Sequence, residues 1–309
     1  MIESVIFFFS GSGMVMLFIL FMRINVVGSK SKLVKHRSKE PGFVDLLIYA
    51  SVVDEGVIVG KDGSLMAAWA YQGVDSNSST EAERDQVSLQ INHALSRMGS
   101  GWMIHIDAVR KPAPGYSAKD DSHFPDPVSA AIDEERREFF ERVGTLYESN
   151  YVITATYLPP LLAQQKFVEL MFDDEGVPVD SKTRTIALLN HFKRECANIE
   201  SHLSSVFRMK RLKGKTITKE DNSSVNYDAF LRWIQFCISG LDHPVILPKN
   251  PIYLDALLSG QEFWGGVVPK IGQNFMQVVS IEGFPLASSP GLINSLADLP
   301  CLYRWSTRF

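Results

Sequence analysis

The stretch VDEGVIVGKDGSLMAAWAYQG, residues 53–73, carries the clearest folding signal of the chain. Two β-prone runs, residues 56–59 and 64–71, flank the tetrapeptide GKDG at residues 60–63. The Asp-Gly pair supplies the positive φ that a tight turn between antiparallel strands needs. The stretch therefore predicts a β-hairpin.

The residues around this hairpin predict an α+β unit. Residues 41–50 predict a short amphipathic turn or helix that leads into it. A helix is predicted after the hairpin; Thr80 with Glu83, or Ser78 with Glu81, caps its start, and Gly99 and Gly101 end it. The elements predicted after this helix are a strand over residues 102–109, a loop over 110–127, a helix over 128–149 and a strand over 151–157. The strand and helix order over residues 51–160 predicts a compact α+β subdomain within residues 41–160.

The remaining residues, 161–309, predict a second subdomain that is first helix-rich and then β-rich. Its predicted elements are helices over residues 161–172, 183–207 and 227–239, short strands from residue 244, a short helix over 292–296 and a strand over 301–309. Mixed or antiparallel sheets with packed helices are therefore the predicted fold class. The chain stops inside its last predicted strand, so either Phe309 ends a terminal strand or the chain is the front portion of a longer protein.

An apolar segment precedes this body. Residues 5–22 carry no charge, and a basic collar of Arg23, Lys30, Lys32, Lys35, Arg37 and Lys39 follows. As a helix the segment would be about 27 Å long, against a hydrocarbon core of about 30 Å. Residues 1–40 thus predict one membrane anchor, with a monotopic hairpin or a core helix as alternatives. The collar predicts that residues 23–309 lie on the cytoplasmic side of the membrane.

Composition narrows the function classes. The formal net charge of −4 argues against a chain that clamps nucleic acid over its whole surface. Three cysteines lie far apart and form no C-x-x-C pair, so neither a zinc site nor a disulfide framework is indicated.

Nucleotide chemistry has little support in the sequence. Gly214-Lys215-Thr216 matches the end of a Walker A loop, but Met209 stands where the motif requires its first glycine. The adjacent carboxylates Asp54 and Glu55 are typical of an ordinary strand entrance. We predict no catalytic, cofactor-binding or metal-binding residue in the chain.

Two clusters leave alternatives open. Arg208, Lys210, Arg211, Lys213 and Lys215 are typical of a helix C-terminus followed by a solvated loop, but such cations also bind a membrane, a partner or nucleic acid. His105 and Asp107 share one face of a predicted strand. Structural roles are the simpler interpretation, and a membrane-tethered enzyme that uses this pair and the loop 110–127 is the alternative.

Several long segments resemble one family in order along the chain: residues 53–73, SST-x-x-ER (78–84), GSGWMIHIDAVRKPAPGY (99–116), SHFPDPVSAAIDEERR (122–137), TATYLPP (154–160), GGVVPKIG (265–272), VVSIEGFP (278–285) and LPCLYRWSTRF (299–309). The chain resembles the N-terminal region of the VirB/CagE/TrbE family of type IV secretion ATPases. The resemblance implies a membrane-associated domain that precedes a RecA-like motor, which binds ATP and Mg²⁺, oligomerises at the inner membrane and energises pilus assembly and substrate transfer.

The sequence ends before any of these motor motifs. We therefore expect a membrane-docking and assembly domain without catalytic activity or a cofactor of its own. Its expected partners are other conjugation subunits, membrane lipid and, in a full-length protein, further copies of itself. Nucleic acid is not expected as a partner of this domain.

Overall fold

A computed structural model describes residues 42–73, 78–160, 179–218, 224–248, 252–280 and 294–309, together with residues 283, 286, 287 and 292. The predicted anchor, the basic collar and the predicted helix over residues 161–172 lie outside the described residues. Among the described residues, no helix combines the length and the apolar character that a membrane crossing requires.

The described residues form six α-helices, two short 3₁₀ helices (Lys119–Asp121 and Asn294–Asp298) and twelve strands. Helices α1 to α6 are Phe43–Leu46, Glu81–Ser96, Pro127–Val143, Val179–Leu203, Ala229–Ser239 and Leu254–Leu258. Strands β1 to β12 are Tyr49–Asp54, Val57–Gly60, Leu65–Gln72, Trp102–Pro112, Tyr147–Tyr157, Arg208–Arg211, Gly214–Thr218, Ser224–Asp228, Phe263–Trp264, Lys270–Ile271, Asn274–Phe275 and Tyr303–Arg308. The α+β class with antiparallel sheets is thus confirmed.

The chain divides into two compact units, residues 1–47 and 48–309. Among the described residues of the first unit, the Asp45 carboxylate accepts a hydrogen bond from the Gly42 N–H at 2.8 Å and caps α1. The predicted turn or helix over residues 41–50 is therefore present as α1. The last two residues of the predicted segment, Tyr49 and Ala50, instead begin an additional strand, β1.

An antiparallel sheet of seven strands is the centre of the second unit. Six strands follow the order β1–β2–β3–β5–β4–β12. Strand β6 pairs with residues 69–72 of β3, along the edge of β3 that β2 leaves uncovered. Strands β6 and β12 come from the predicted subdomain 161–309, and both pair with strands of the predicted subdomain 41–160.

The predicted hairpin is confirmed as β2 and β3. Gly63 has φ +79°, and its N–H donates a hydrogen bond to the Gly60 carbonyl at 3.0 Å. The Asp62 carboxylate accepts from the Ser64 N–H at 3.0 Å and from the Ser64 hydroxyl at 2.6 Å. Local side-chain chemistry therefore fixes the turn and the register of both strands.

The first face of the sheet, on the side of Leu65, Ala67 and Trp69, is covered by α4. Phe192, Cys196 and Leu203 of α4 are buried against this face, and Ala94 of α2 joins the same cluster. The predicted cap of α2 is confirmed, because Thr80 Oγ1 accepts from the Glu83 N–H and Glu83 accepts from the Thr80 N–H. The second face, on the side of Ala68 and Ala70, carries α5.

The predicted helix over residues 128–149 was too long. Gly144 ends α3 with φ +80°, and its N–H donates to the Phe140 carbonyl at 3.1 Å. Residues 147–150 then pair with residues 109–112 of β4, so β4 and β5 are both longer than predicted. The long β4–β5 ladder outcompetes the helical propensity of this stretch.

Candidate docking groove

The basic stretch from Arg208 to Lys215 was wrongly predicted as a helix end and a loop. It forms β6, a turn and the start of β7. Residues 208–211 form a strand instead of a loop because they pair with β3. In this pairing Arg211 points to the first face of the sheet, with its guanidinium 4.7 Å from the Trp69 ring centroid. Lys210, one residue earlier, points to the second face.

A groove of about 1020 Å³ lies on the second face of the sheet, between β6–β7 and α5. We call it the docking groove. Ala70, Val109 and Val152 line its floor, and Trp233 and Phe236 of α5 form one wall. These two rings stack, with centroids 5.9 Å apart and planes 22° apart, so the wall is apolar and aromatic.

Positive charge surrounds the apolar floor of the docking groove. Lys111 and Arg232 are both paired with Asp242, at 3.0 Å and 2.5 Å. Lys210 and Lys215 are exposed at the rim, and neither has an ion-pair partner among the described residues. The groove therefore suits a ligand that combines apolar groups with negative charge.

Carboxylates Asp54 and Glu55 serve as ion-pair partners, in line with the prediction of an ordinary strand entrance. Asp54 accepts from the Lys193 ammonium of α4 at 2.5 Å, and this hydrogen bond lowers the pKa of the Asp54 carboxyl below its usual value. Glu55 lies 3.2 Å from Lys213. Both carboxylates thus connect the β1–β2 turn with neighbouring elements.

The pair His105 and Asp107 lies on the second face of the sheet but does not line the docking groove. Asp107 is 5% exposed, and its Oδ1 lies 3.7 Å from Arg304 Nε on β12. Arg304 also interacts with the Cys237 thiol of α5. This arrangement joins β4, β12 and α5, and it supports the structural interpretation of the pair.

The alternative of a membrane-tethered enzyme also uses the predicted loop 110–127, and Tyr116 and Ser117 of this loop contact α3. The Tyr116 hydroxyl donates to Asp133 at 2.6 Å, and Arg137 Nε donates to the Ser117 carbonyl at 3.2 Å. The described residues hold no group of three or more His, Cys, Asp or Glu side chains placed to bind a metal ion.

A pH prediction follows from His105. Burial lowers the pKa of His105 below 6.5, and the nearby Arg308 and Arg304 add to this effect while Asp107 opposes it. The folded protein therefore binds fewer protons than the unfolded chain once the pH falls below 6.5, so acidification through this range destabilises the fold. We expect His105→Gln to lose less stability than the unmodified chain between about pH 7.5 and about pH 5.5. Urea unfolding at both pH values measures this, and equal losses would contradict it.

The described residues form an α+β domain with a groove on one face of its main sheet, and comparisons with known proteins place the chain in a family. A family model described as the N-terminal domain of the type IV secretion system ATPase VirB4/TrbE matches residues 56–165. The conjugal transfer protein TrbE of Rhizobium radiobacter is 42% identical over 276 residues, which cover 88% of this chain and 33% of that protein.

Two relatives from Sinorhizobium fredii also match, and their names describe them as the first and the second portion of a probable conjugal transfer protein TrbE. The first portion is 49% identical over 125 residues, which are 40% of this chain and 84% of that relative. The second portion is 38% identical over 119 residues, which are 38% of this chain and 18% of that relative. This chain belongs to the VirB4/TrbE family of type IV secretion system ATPases and contains its N-terminal domain. It spans about a third of the length of the Rhizobium radiobacter relative.

Proposed function

We propose that this chain is a membrane-docking and assembly domain of a conjugal transfer machine, and that it binds another subunit of that machine in the docking groove. The observation that carries the proposal is the combination of an apolar floor with two rim cations, Lys210 and Lys215, that have no ion-pair partner among the described residues. An apolar anchor with nearby carboxylates fits this surface, because burial supplies affinity and charge supplies orientation.

Protein is the favoured ligand class over nucleic acid. Trp233 stacks on Phe236 within the wall, so its ring does not stand free as a platform for bases. Asp242 already neutralises two of the groove cations, and the chain as a whole carries a net charge of −4. A backbone-binding groove would need a larger excess of free positive charge.

The membrane component of the proposal rests on the sequence of residues 1–40. The apolar segment supplies hydrophobic attachment, and the collar holds the body on the cytoplasmic side of the inner membrane. Attachment that withstands high salt and carbonate and is released by detergent supports a spanning anchor. Release by carbonate alone contradicts it.

Photo-crosslinking tests the docking groove. A photoreactive phenylalanine at position 233 is placed on the groove wall, and a matched control at Ile186 is placed on α4, where the side chain is 59% exposed. In cells that carry the complete conjugation gene cluster, we expect position 233 to crosslink to another encoded subunit. Mass spectrometry identifies that subunit.

Charge reversal sharpens the test. Lys210→Glu with Lys215→Glu is expected to lower the crosslink yield about tenfold, because both rim charges that attract the partner become repulsive. Arg84→Glu with Arg194→Glu, on exposed helix positions, makes the same charge change elsewhere and is expected to have little effect. Crosslinks to nucleic acid only, or equal yields at positions 233 and 186, would overturn the proposal.

A further inference from the structure

Helix α3 exposes apolar side chains and buries charged ones, the reverse of the usual order. Its buried residues are Asp133 and Arg137, which are 8% and 9% exposed. Ile132 and Phe139, in contrast, are 50% and 55% exposed. A helix with this distribution presents an apolar face that is available to a partner.

The loop before α3 holds the helix in this orientation. Tyr116 donates to Asp133 Oδ1 at 2.6 Å, and Arg137 Nη2 donates to Asp133 Oδ2 at 2.6 Å. The Tyr116 ring also stacks on Phe140, with centroids 5.2 Å apart. The Tyr116 hydrogen bond holds the pKa of Asp133 below its usual value, so the carboxylate stays charged in this network. The exposed face is therefore fixed by specific contacts.

The apolar face forms one narrow stripe. Val128, Ile132, Phe139 and Val143 are all at least 47% exposed. At about 100° per residue, they fall within roughly 60° of one another around the helix axis. Glu135 and Arg136 flank the stripe halfway along its length, and Glu135 has no ion-pair partner among the described residues.

The sequence of the stripe is complementary to itself in the antiparallel direction. A two-fold axis between positions 135 and 136 places Val128 opposite Val143 of a second copy and Ile132 opposite Phe139. The same axis places Glu135 opposite Arg136 of the second copy, and this contact occurs twice by symmetry. Both apolar pairs and both charge pairs are favourable in this single register.

We propose that α3 is a homodimerisation surface at which two copies of this chain pair their helices antiparallel. The stripe shares no residue with the docking groove, so this inference is independent of the proposed function. One helix pair buries less than the roughly 1,200 Å² of a stable interface. The dimer is therefore weak and concentration-dependent when it rests on α3 alone.

Sedimentation equilibrium of the full chain in density-matched detergent tests the pairing. We expect a monomer–dimer equilibrium between about 1 and about 100 µM. Ile132→Glu and Phe139→Glu each put a carboxylate into the stripe and are expected to leave a monomer throughout this range. Both positions are exposed in the single chain, so far-ultraviolet circular dichroism is expected to stay unchanged.

Charge reversal tests the register. In a dimer of Arg136→Glu, each of the two charge contacts would bring a glutamate against a glutamate. In a dimer of Glu135→Arg, each would bring an arginine against an arginine, so each variant alone is expected to be monomeric. Mixing these two variants restores an Arg–Glu pair at both contacts, and the double variant Glu135→Arg/Arg136→Glu does the same within one chain. Both are expected to regain the dimer. Glu141→Arg lies on the opposite side of α3 and serves as the matched control.

Several outcomes would overturn the proposal. A monomer at every concentration would do so, as would a dimer that survives Ile132→Glu and Phe139→Glu. Loss of the dimer in both charge variants without recovery on mixing would overturn the antiparallel register. A monomer whose stripe instead mediates binding to vesicles of anionic phospholipid, abolished by Ile132→Glu, would assign the face to the membrane.

Discussion

Replacement of Trp69 by alanine is expected to lower the free energy of unfolding by about 3–5 kcal/mol, the range for truncating a large buried aromatic side chain. Trp69 is 0% exposed at the centre of β3. Its Nε1–H donates to the Glu200 carboxylate of α4 at 3.1 Å, and the Arg211 guanidinium lies over its ring. The alanine variant therefore creates a cavity and removes the partners of two charged side chains. Urea unfolding followed by circular dichroism measures the change.

Trp69→Phe is the matched control for this effect. The phenyl ring keeps most of the buried volume and a face for Arg211, but it has no N–H for Glu200. We expect Trp69→Phe to lower the free energy of unfolding by much less than Trp69→Ala does. The missing hydrogen bond accounts for about 1–2 kcal/mol of the decrease in the phenylalanine variant. A loss below about 1 kcal/mol for Trp69→Ala would contradict the central position of this side chain in the core.

A second large effect is expected from Gly101→Ala. Gly101 has φ +90°, a conformation that costs a residue with a side chain about 1–3 kcal/mol. A Cβ atom at this position would also lie 2.6 Å from the Leu158 carbonyl oxygen. That contact is with backbone, so relief requires a shift of the segment in which the Leu158 N–H donates to the Gly101 carbonyl at 2.7 Å. We expect the thermal midpoint to fall and the β4–β5 ladder to exchange its amide hydrogens faster.

Gly99→Ala provides an internal control two residues away. Among the described residues, no heavy atom outside Gly99 and its two chain neighbours lies within 4 Å of the position where its Cβ atom would be, and Gly99 is not among the glycines with positive φ. This variant is expected to match the unmodified chain or to gain slightly in stability, because alanine restricts the unfolded state. Equal destabilisation by both variants would contradict the backbone strain and the clash with Leu158 that are assigned to position 101.

The elements of the fold that were predicted correctly depend on local chemistry. Asp62 and Gly63 specify their turn through contacts within three residues. Thr80 and Glu83 cap α2, and Asp228 and Gly240 bound α5 by the same kind of short-range hydrogen bond. Such signals are readable from the sequence because both partners lie within one turn of the chain.

The elements that were missed depend on distant partners. Strand β1 pairs with β2 through two register irregularities, which break the alternation that would have marked it as a strand. Strand β6 looks like a basic loop because its inward position is Arg211, whose burial depends on Trp69, far away in the sequence.

The docking groove was not predictable for the same reason. Its floor comes from β3, β4 and β5, its rim from β6–β7 and its wall from α5. These contributions come from separate parts of the sequence. The rim is the one part that the sequence showed as a cluster, the cations between Arg208 and Lys215. The cluster identified the right residues, but only the sheet explains why the Lys210 side chain points to the second face and the Arg211 side chain to the first.

The pairing of β4 with β12 has a consequence for biosynthesis. Tyr303 pairs with Arg110, so one edge of β4 receives its partner only after more than half of the chain has followed it. At a translation rate of roughly 5–20 residues per second, that edge stays open on the ribosome for on the order of ten seconds or more. An open strand edge is prone to pair with other chains. The nascent protein is therefore expected to depend on chaperones that bind early, and slower translation is expected to lower its soluble yield.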